Sequence, residues 1–69
     1  MKIKKYIIAL IRNDFKTKRE LAYQLEVSEV TIARYLKENA KNGDLTKIKA
    51  IRIISERLGK SENEILVEE

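Results

Sequence analysis

Two apolar patterns of helical period stand on either side of a break only a few residues long: Leu21, Ala22 and Leu25 before it, Ile32, Tyr35 and Leu36 after it. Helices joined so closely have to cross steeply. Leu21, Ala22, Leu25, Val27, Ile32, Tyr35 and Leu36 can then share one core only because Ala22 is small at the crossing. Thr17 and Glu20 have capping-box spacing, which predicts that the first of these helices starts at Lys18. Val27-Ser28 breaks the pattern, and Ser28 is a good N-cap for the second. With Ile32 and Leu36 inward, the outward arc of that second helix carries Val30, Ala33, Arg34, Lys37 and Lys41, with Glu29 at its N-terminal edge.

The same period runs through the rest of the chain. Ile3, Tyr6, Ile7, Leu10 and Ile11 predict an amphipathic helix ending near Arg12. Asp44 can cap another from Leu45 to Leu58, with Ile48, Ile51, Ile54 and Leu58 inward and Gly59 as its left-handed stop. Ser61 and Glu64 repeat the capping box and predict a last helix from Glu62 to about Val67. Proline is absent and no strand-like alternation is sustained. The expected fold is all-α, five short helices forming one domain over residues 1–69.

Cysteine and histidine are both absent, so a disulfide framework, a zinc finger, a thiolate nucleophile and an imidazole base are excluded together. Ser28 has no activating partner, and neither glycine sits in a phosphate-cradling loop, so neither an enzyme nor a cofactor is expected. The longest apolar run, Tyr6 to Ile11, falls far short of the roughly 20 residues that span a bilayer, which leads us to expect a cytoplasmic protein with no membrane partner. Charge is unevenly placed: residues 1–60 hold 15 Lys and Arg against 7 Asp and Glu, a balance of +8, while residues 61–69 hold 4 Glu and no cation. A basic body with an acidic tail fits a polyanionic partner; it also fits a domain that is basic merely for solubility.

The segment ELAYQLEVSEVTIARYL resembles the helix-turn-helix of the lambda-repressor-like (Cro and Xre) family of DNA-binding regulators. Leu21-Ala22, Leu25, Val27-Ser28, Thr31-Ile32 and Arg34-Tyr35 stand at the spacing usual there, and RLGKSENEIL, Arg57 to Leu66, is similar to the segment that closes the family's fourth helix and opens its fifth. The resemblance implies a compact five-helix lambda-repressor-like domain with its helix-turn-helix at about residues 17–39. Glycine most often opens the turn in that family; here Glu26 must take the left-handed conformation or reshape the turn. The connection from Tyr35 to Ile48 is also about a turn longer, so residues 37–44 either extend the helix or form a larger loop.

The resemblance further implies a small cytoplasmic regulator of prokaryotic, phage or mobile-element origin that binds double-stranded DNA. Base contacts would come from Ser28, Glu29, Val30, Ala33, Arg34 and Lys37, and phosphate contacts from Lys16, Thr17, Lys18, Arg19 and Lys41. Each residue has a plainer reading. Arg34 can pair with Glu38 at i+4, Lys37 can be a solvated lysine, Glu29 can favour a positive helix start, and Val30 can pack under the longer loop. Lys2, Lys4 and Lys5 read as a solvated helix end. Such domains bind as dimers, and Ile53 with Ile65, Leu66 and Val67 is a candidate homodimer contact, unless the last helix covers Ile53 within one chain. A chain this short has no room for a sensor domain, so no small-molecule effector is expected.

Overall fold

The computed structural model describes residues 1–68. A short strand, β1 (Lys2–Ile3), leads into helices α1 (Lys5–Arg12), α2 (Phe15–Leu25) and α3 (Glu29–Glu38). A 3-10 turn (Asp44–Thr46) precedes α4 (Ile48–Leu58) and α5 (Glu62–Ile65), and a second short strand, β2 (Leu66–Val67), follows. The five helices match the expected fold class; the two strands are an addition to it. Leu21 of α2, Ile32 of α3 and Ile54 of α4 are fully buried, and Ile7 and Ile11 of α1 and Ile65 of α5 complete the same core. Each such side chain contributes about 1.5–3 kcal/mol by leaving water.

The first helix begins later, and turns differently, than its apolar spacing predicts. Lys4 is extended, so Ile3 falls in β1 and α1 starts at Lys5. Its buried stripe is Ile7, Ile8 and Ile11, whereas Tyr6 and Leu10 stay exposed. The strand is the physical cause. β1 pairs antiparallel with β2, Lys2 opposite Val67 and Ile3 opposite Leu66, and the Lys4 amide extends the ladder to the Ile65 carbonyl at 2.8 Å. The same pairing ends α5 at Ile65 instead of near Val67.

Helix α2 starts three residues ahead of the expected position, because Asp14 and not Thr17 is its N-cap. The Asp14 carboxylate accepts the amides of Lys16 and Thr17 and the Thr17 hydroxyl, the last at 2.8 Å. An ionised carboxylate at a helix start is a stronger acceptor than a hydroxyl and also meets the positive end of the helix dipole. Glu20, freed from capping, accepts the Gln24 side-chain amide at 2.7 Å.

The connection between α2 and α3 is Glu26, Val27 and Ser28. Glu26 takes the left-handed conformation, φ 57° and ψ 45°. Its amide reaches the Tyr23 carbonyl and that of Val27 reaches Ala22, the paired bonds of a Schellman helix end. Ser28 then caps α3, accepting the Thr31 amide at 3.0 Å as its position predicts. At the other end α3 stops at Glu38, and residues 39–43 form a loop, so Lys41 lies beyond the helix and not on its outward arc.

Asn39, also left-handed at φ 39°, ties that end to the sheet. Its Oδ1 accepts the Ile3 amide at 3.2 Å and its Nδ2 donates to the Ile3 carbonyl at 2.9 Å. Antiparallel ladders alternate bonded and non-bonded pairs, so Ile3, between the bonded positions, turns its polar groups away from β2 and toward Asn39. The side-chain amide thus acts as a one-residue third strand. Beyond the loop, Leu45 enters the core from the 3-10 turn and extended Lys47 starts α4 at Ile48. The buried stripe of α4 is centred about 140° around the helix from Ile48, which faces solvent at 78% exposure, contrary to the inward position expected of it. Helix α4 buries Ala50, Ile51, Ile53 and Ile54 and ends on left-handed Gly59. The Ser61–Glu64 capping box forms as predicted, with the Ser61 amide donating to Glu64 at 3.0 Å.

Substitutions at two positions test these ends. Glu26→Gly removes the left-handed penalty and should raise stability by about 1 kcal/mol, moving the thermal midpoint up by about 4–8 °C in a circular-dichroism melt. Asn39→Gly keeps the backbone conformation but loses both bonds to Ile3, a cost of about 2 kcal/mol; Asn39→Ala should cost about 1 kcal/mol more, because alanine resists that conformation.

Candidate functional site

Helix α3 presents a face that its own core stripe leaves open. Ile32 and Leu36 point inward, and Ser28, Glu29, Val30, Ala33, Arg34 and Lys37 are all exposed. Val30 is 79% exposed, so it does not pack under the 39–43 loop and remains an apolar side chain on a polar surface. The Arg34 guanidinium lies 5.5 Å from the Tyr35 ring centroid, and Tyr35 in turn packs half-buried against the core. An arginine stacked in this way is partly held in place while its donors stay available.

The residues expected near the front of α2 divide into two groups. Lys16 and Arg19 are exposed and Lys18 is half-buried. Thr17 is fully buried, with its hydroxyl committed to Asp14, so its side chain is not available to a phosphate. The amides of Lys16 and Thr17 are taken by the same carboxylate, and this helix start is closed to an external anion. Lys41 is exposed in the 39–43 loop, on the far side of Asn39 from α3.

Sequence reasoning named Lys16 and Arg19 but missed Phe15, Tyr23 and Arg57 beside them. Arg19 stacks over Phe15, its guanidinium carbon 5.4 Å from the ring centroid, and Lys16, Arg19, Glu20, Tyr23 and Arg57 line one open groove on the outer side of α2. Arg57 comes from the last turn of α4, and nothing in local spacing links it to α2. The aromatic pair was legible: Phe15 and Tyr23 stand at i and i+8 on the flank opposite Leu21 and Leu25.

Ile53, Ile65, Leu66 and Val67, the candidate contact with a second copy, differ in how far one chain covers them. Ile53 is 8% exposed and Ile65 fully buried within one chain, while Leu66 and Val67 are half-buried and form β2. The core takes Ala50, Ile51, Ile53 and Ile54 from α4 and Ile65 from α5, while Ile48 of α4 stays exposed. Among the described residues no cluster of acids is placed to hold a metal, no buried side-chain polar atom lacks a partner, and no helix is long and apolar enough to cross a membrane.

The Asp14 carboxyl is held below the usual carboxylate range, first by the Thr17 hydroxyl and then by the amides of Thr17 and Lys16 and the charge of Arg57, against a smaller opposing effect of desolvation. Compared with protein-family models, curated proteins and solved structures, the chain matches none.

A lowered folded-state pKa means that ionised Asp14 stabilises the fold above the pH at which a free aspartate titrates, and that this contribution disappears as pH falls through the folded value. Thr17→Val preserves the buried volume but removes the largest cause of the shift. The Asp14 carboxyl should then titrate at higher pH by NMR, and the stability gap between variant and parent, present at about pH 7, should narrow by about pH 2.

Proposed function

We propose that the chain is a lambda-repressor-like helix-turn-helix domain that binds double-stranded DNA with sequence specificity and regulates transcription, as a repressor, by occupying a promoter. The observation that carries this reading is the three-residue connection of α2 to α3 together with the exposed α3 face of Val30, Ala33, Arg34 and Lys37 on a body with a balance of +8. With α3 in the major groove, Arg34 would donate two bonds to guanine O6 and N7, Glu29 would accept from cytosine N4, and Val30 or Ala33 would meet a thymine methyl group. Ser28 and Lys37 would flank them. Lys16, Lys18, Arg19 and Lys41 would fix the register through phosphates and carry no sequence information.

One such helix makes a small contact, and a homodimer on half-sites about 34 Å apart would double it. Ile53 and Ile65 are enclosed in one chain, so of the candidate contact only the half-buried Leu66 and Val67 would be open to a second copy. An alternative reading is a protein-interaction module, favoured by Phe15 and Tyr23, which are 57% and 77% exposed on α2.

A binding selection on a random duplex library at about 150 mM salt separates these readings. A regulator should recover a near-palindromic motif with half-sites about 10 base pairs apart. Arg34→Ala should then lose about 1–3 kcal/mol of discrimination at one base pair, while Lys16→Ala weakens all duplexes alike and lowers the salt slope by about one. A bound pool without any motif would overturn the proposal.

A further inference from the structure

The first helix carries a cationic stripe that the α3 surface leaves unused. Lys5, Ala9 and Arg12 stand at i, i+4 and i+7 on α1, and all three are exposed. An open groove separates this stripe from the last turn of α3. Buried Ile8 and Leu36 form its floor, and exposed Lys5, Arg12 and Lys37 stand along its rims. Glu38 is the single acid among the described residues lining it. Ala9 matters by being small: it leaves open a stretch of about 10 Å between the two cations of α1.

The acidic C-terminal segment starts from a different flank. The Tyr6 hydroxyl donates to the Glu64 carbonyl at 3.3 Å, which puts α5 beside the Tyr6 side of α1, roughly 100° around the helix from Lys5. Lys4 and Lys60 are the cations whose charge acts on Glu64. Lys37 belongs both to the outward face of α3 and to this groove, so the two share a cation.

From this the geometry points to a second phosphate track: the groove between α1 and α3 takes the sugar-phosphate backbone that flanks the bases read by α3, with Lys5 and Arg12 on phosphates. The inference rests on the DNA-binding reading and adds α1 to it. Exposed cations on both rims, with a single acid between them, suit a continuous polyanion. Lys5 is thereby more than a solvated helix end.

The test compares the parent chain with the double variant Lys5→Ala, Arg12→Ala and with a control, Lys4→Ala, Lys60→Ala, that removes the same charge elsewhere. Binding to the selected duplex and to a scrambled duplex of equal length is measured across a salt series. The groove variant should melt like the parent and bind both duplexes more weakly by the same factor, with the slope of log K against log salt reduced by about 2; the control should keep the parent slope. A groove variant with the parent slope overturns the track and leaves the DNA-binding reading standing. A control that loses as much slope as the groove variant overturns it too, since net charge alone would then explain the effect. A parent chain that shows no salt-dependent duplex binding overturns both.

Discussion

Leu21 is fully buried because α1, α3 and α4 all close on the one face of α2 that carries Thr17, Leu21 and Ala22. A chain of 69 residues buries a limited fraction of its surface, and one helix face has to serve three neighbours. Ala22 permits the close approach, and Leu25 and Val27 continue the contact into the connection. The exposed residues of α2 and α3 take their direction from this shared face. Lys16, Arg19 and Tyr23 point outward because Thr17 and Leu21 point inward, and α3 shows Val30 and Arg34 because Ile32 and Leu36 are held against α2.

The N-terminus of α2 illustrates how local chemistry sets that arrangement. Asp14 takes the first amides and the Thr17 hydroxyl, which lets a threonine be fully buried with its polar atom satisfied. The same carboxylate lies within the influence of Arg57, linking the start of α2 to the end of α4. Those ends supply Lys16, Arg19 and Arg57 to one groove, so a capping interaction doubles as the device that gathers cations from distant parts of the chain.

Much of this was legible in the residues. The crossing of α2 with α3, the Ser28 cap, the Gly59 stop and the Ser61–Glu64 box all follow from short-range rules acting within a few positions. The exposed α3 face followed from helical periodicity once Ile32 and Leu36 were assigned inward. Long-range contacts were the part that local rules do not reach. Ile3 fits a helical stripe as well as a strand, and only its pairing with Leu66 and Asn39 decides between them. Thr17 and Asp14 are both good caps, and the choice depends on which of them the core can bury. Ile48 shares the i, i+3 spacing of Ile51 and Ile54, but the core closes on the side of α4 that carries Ala50, Ile51, Ile53 and Ile54 and leaves Ile48 outside.

The junction of β1, β2 and Asn39 has a consequence for the order of assembly. It joins the two ends of the chain, and the entropy of closing so long a loop delays such contacts until the local helices exist. The last turn of α3 is fastened to the strand that pairs last. A chain still emerging during synthesis, or one trimmed at its C-terminus, would therefore carry an α3 that frays beyond Leu36, and its exposed face would acquire its final shape only when the whole polypeptide has closed.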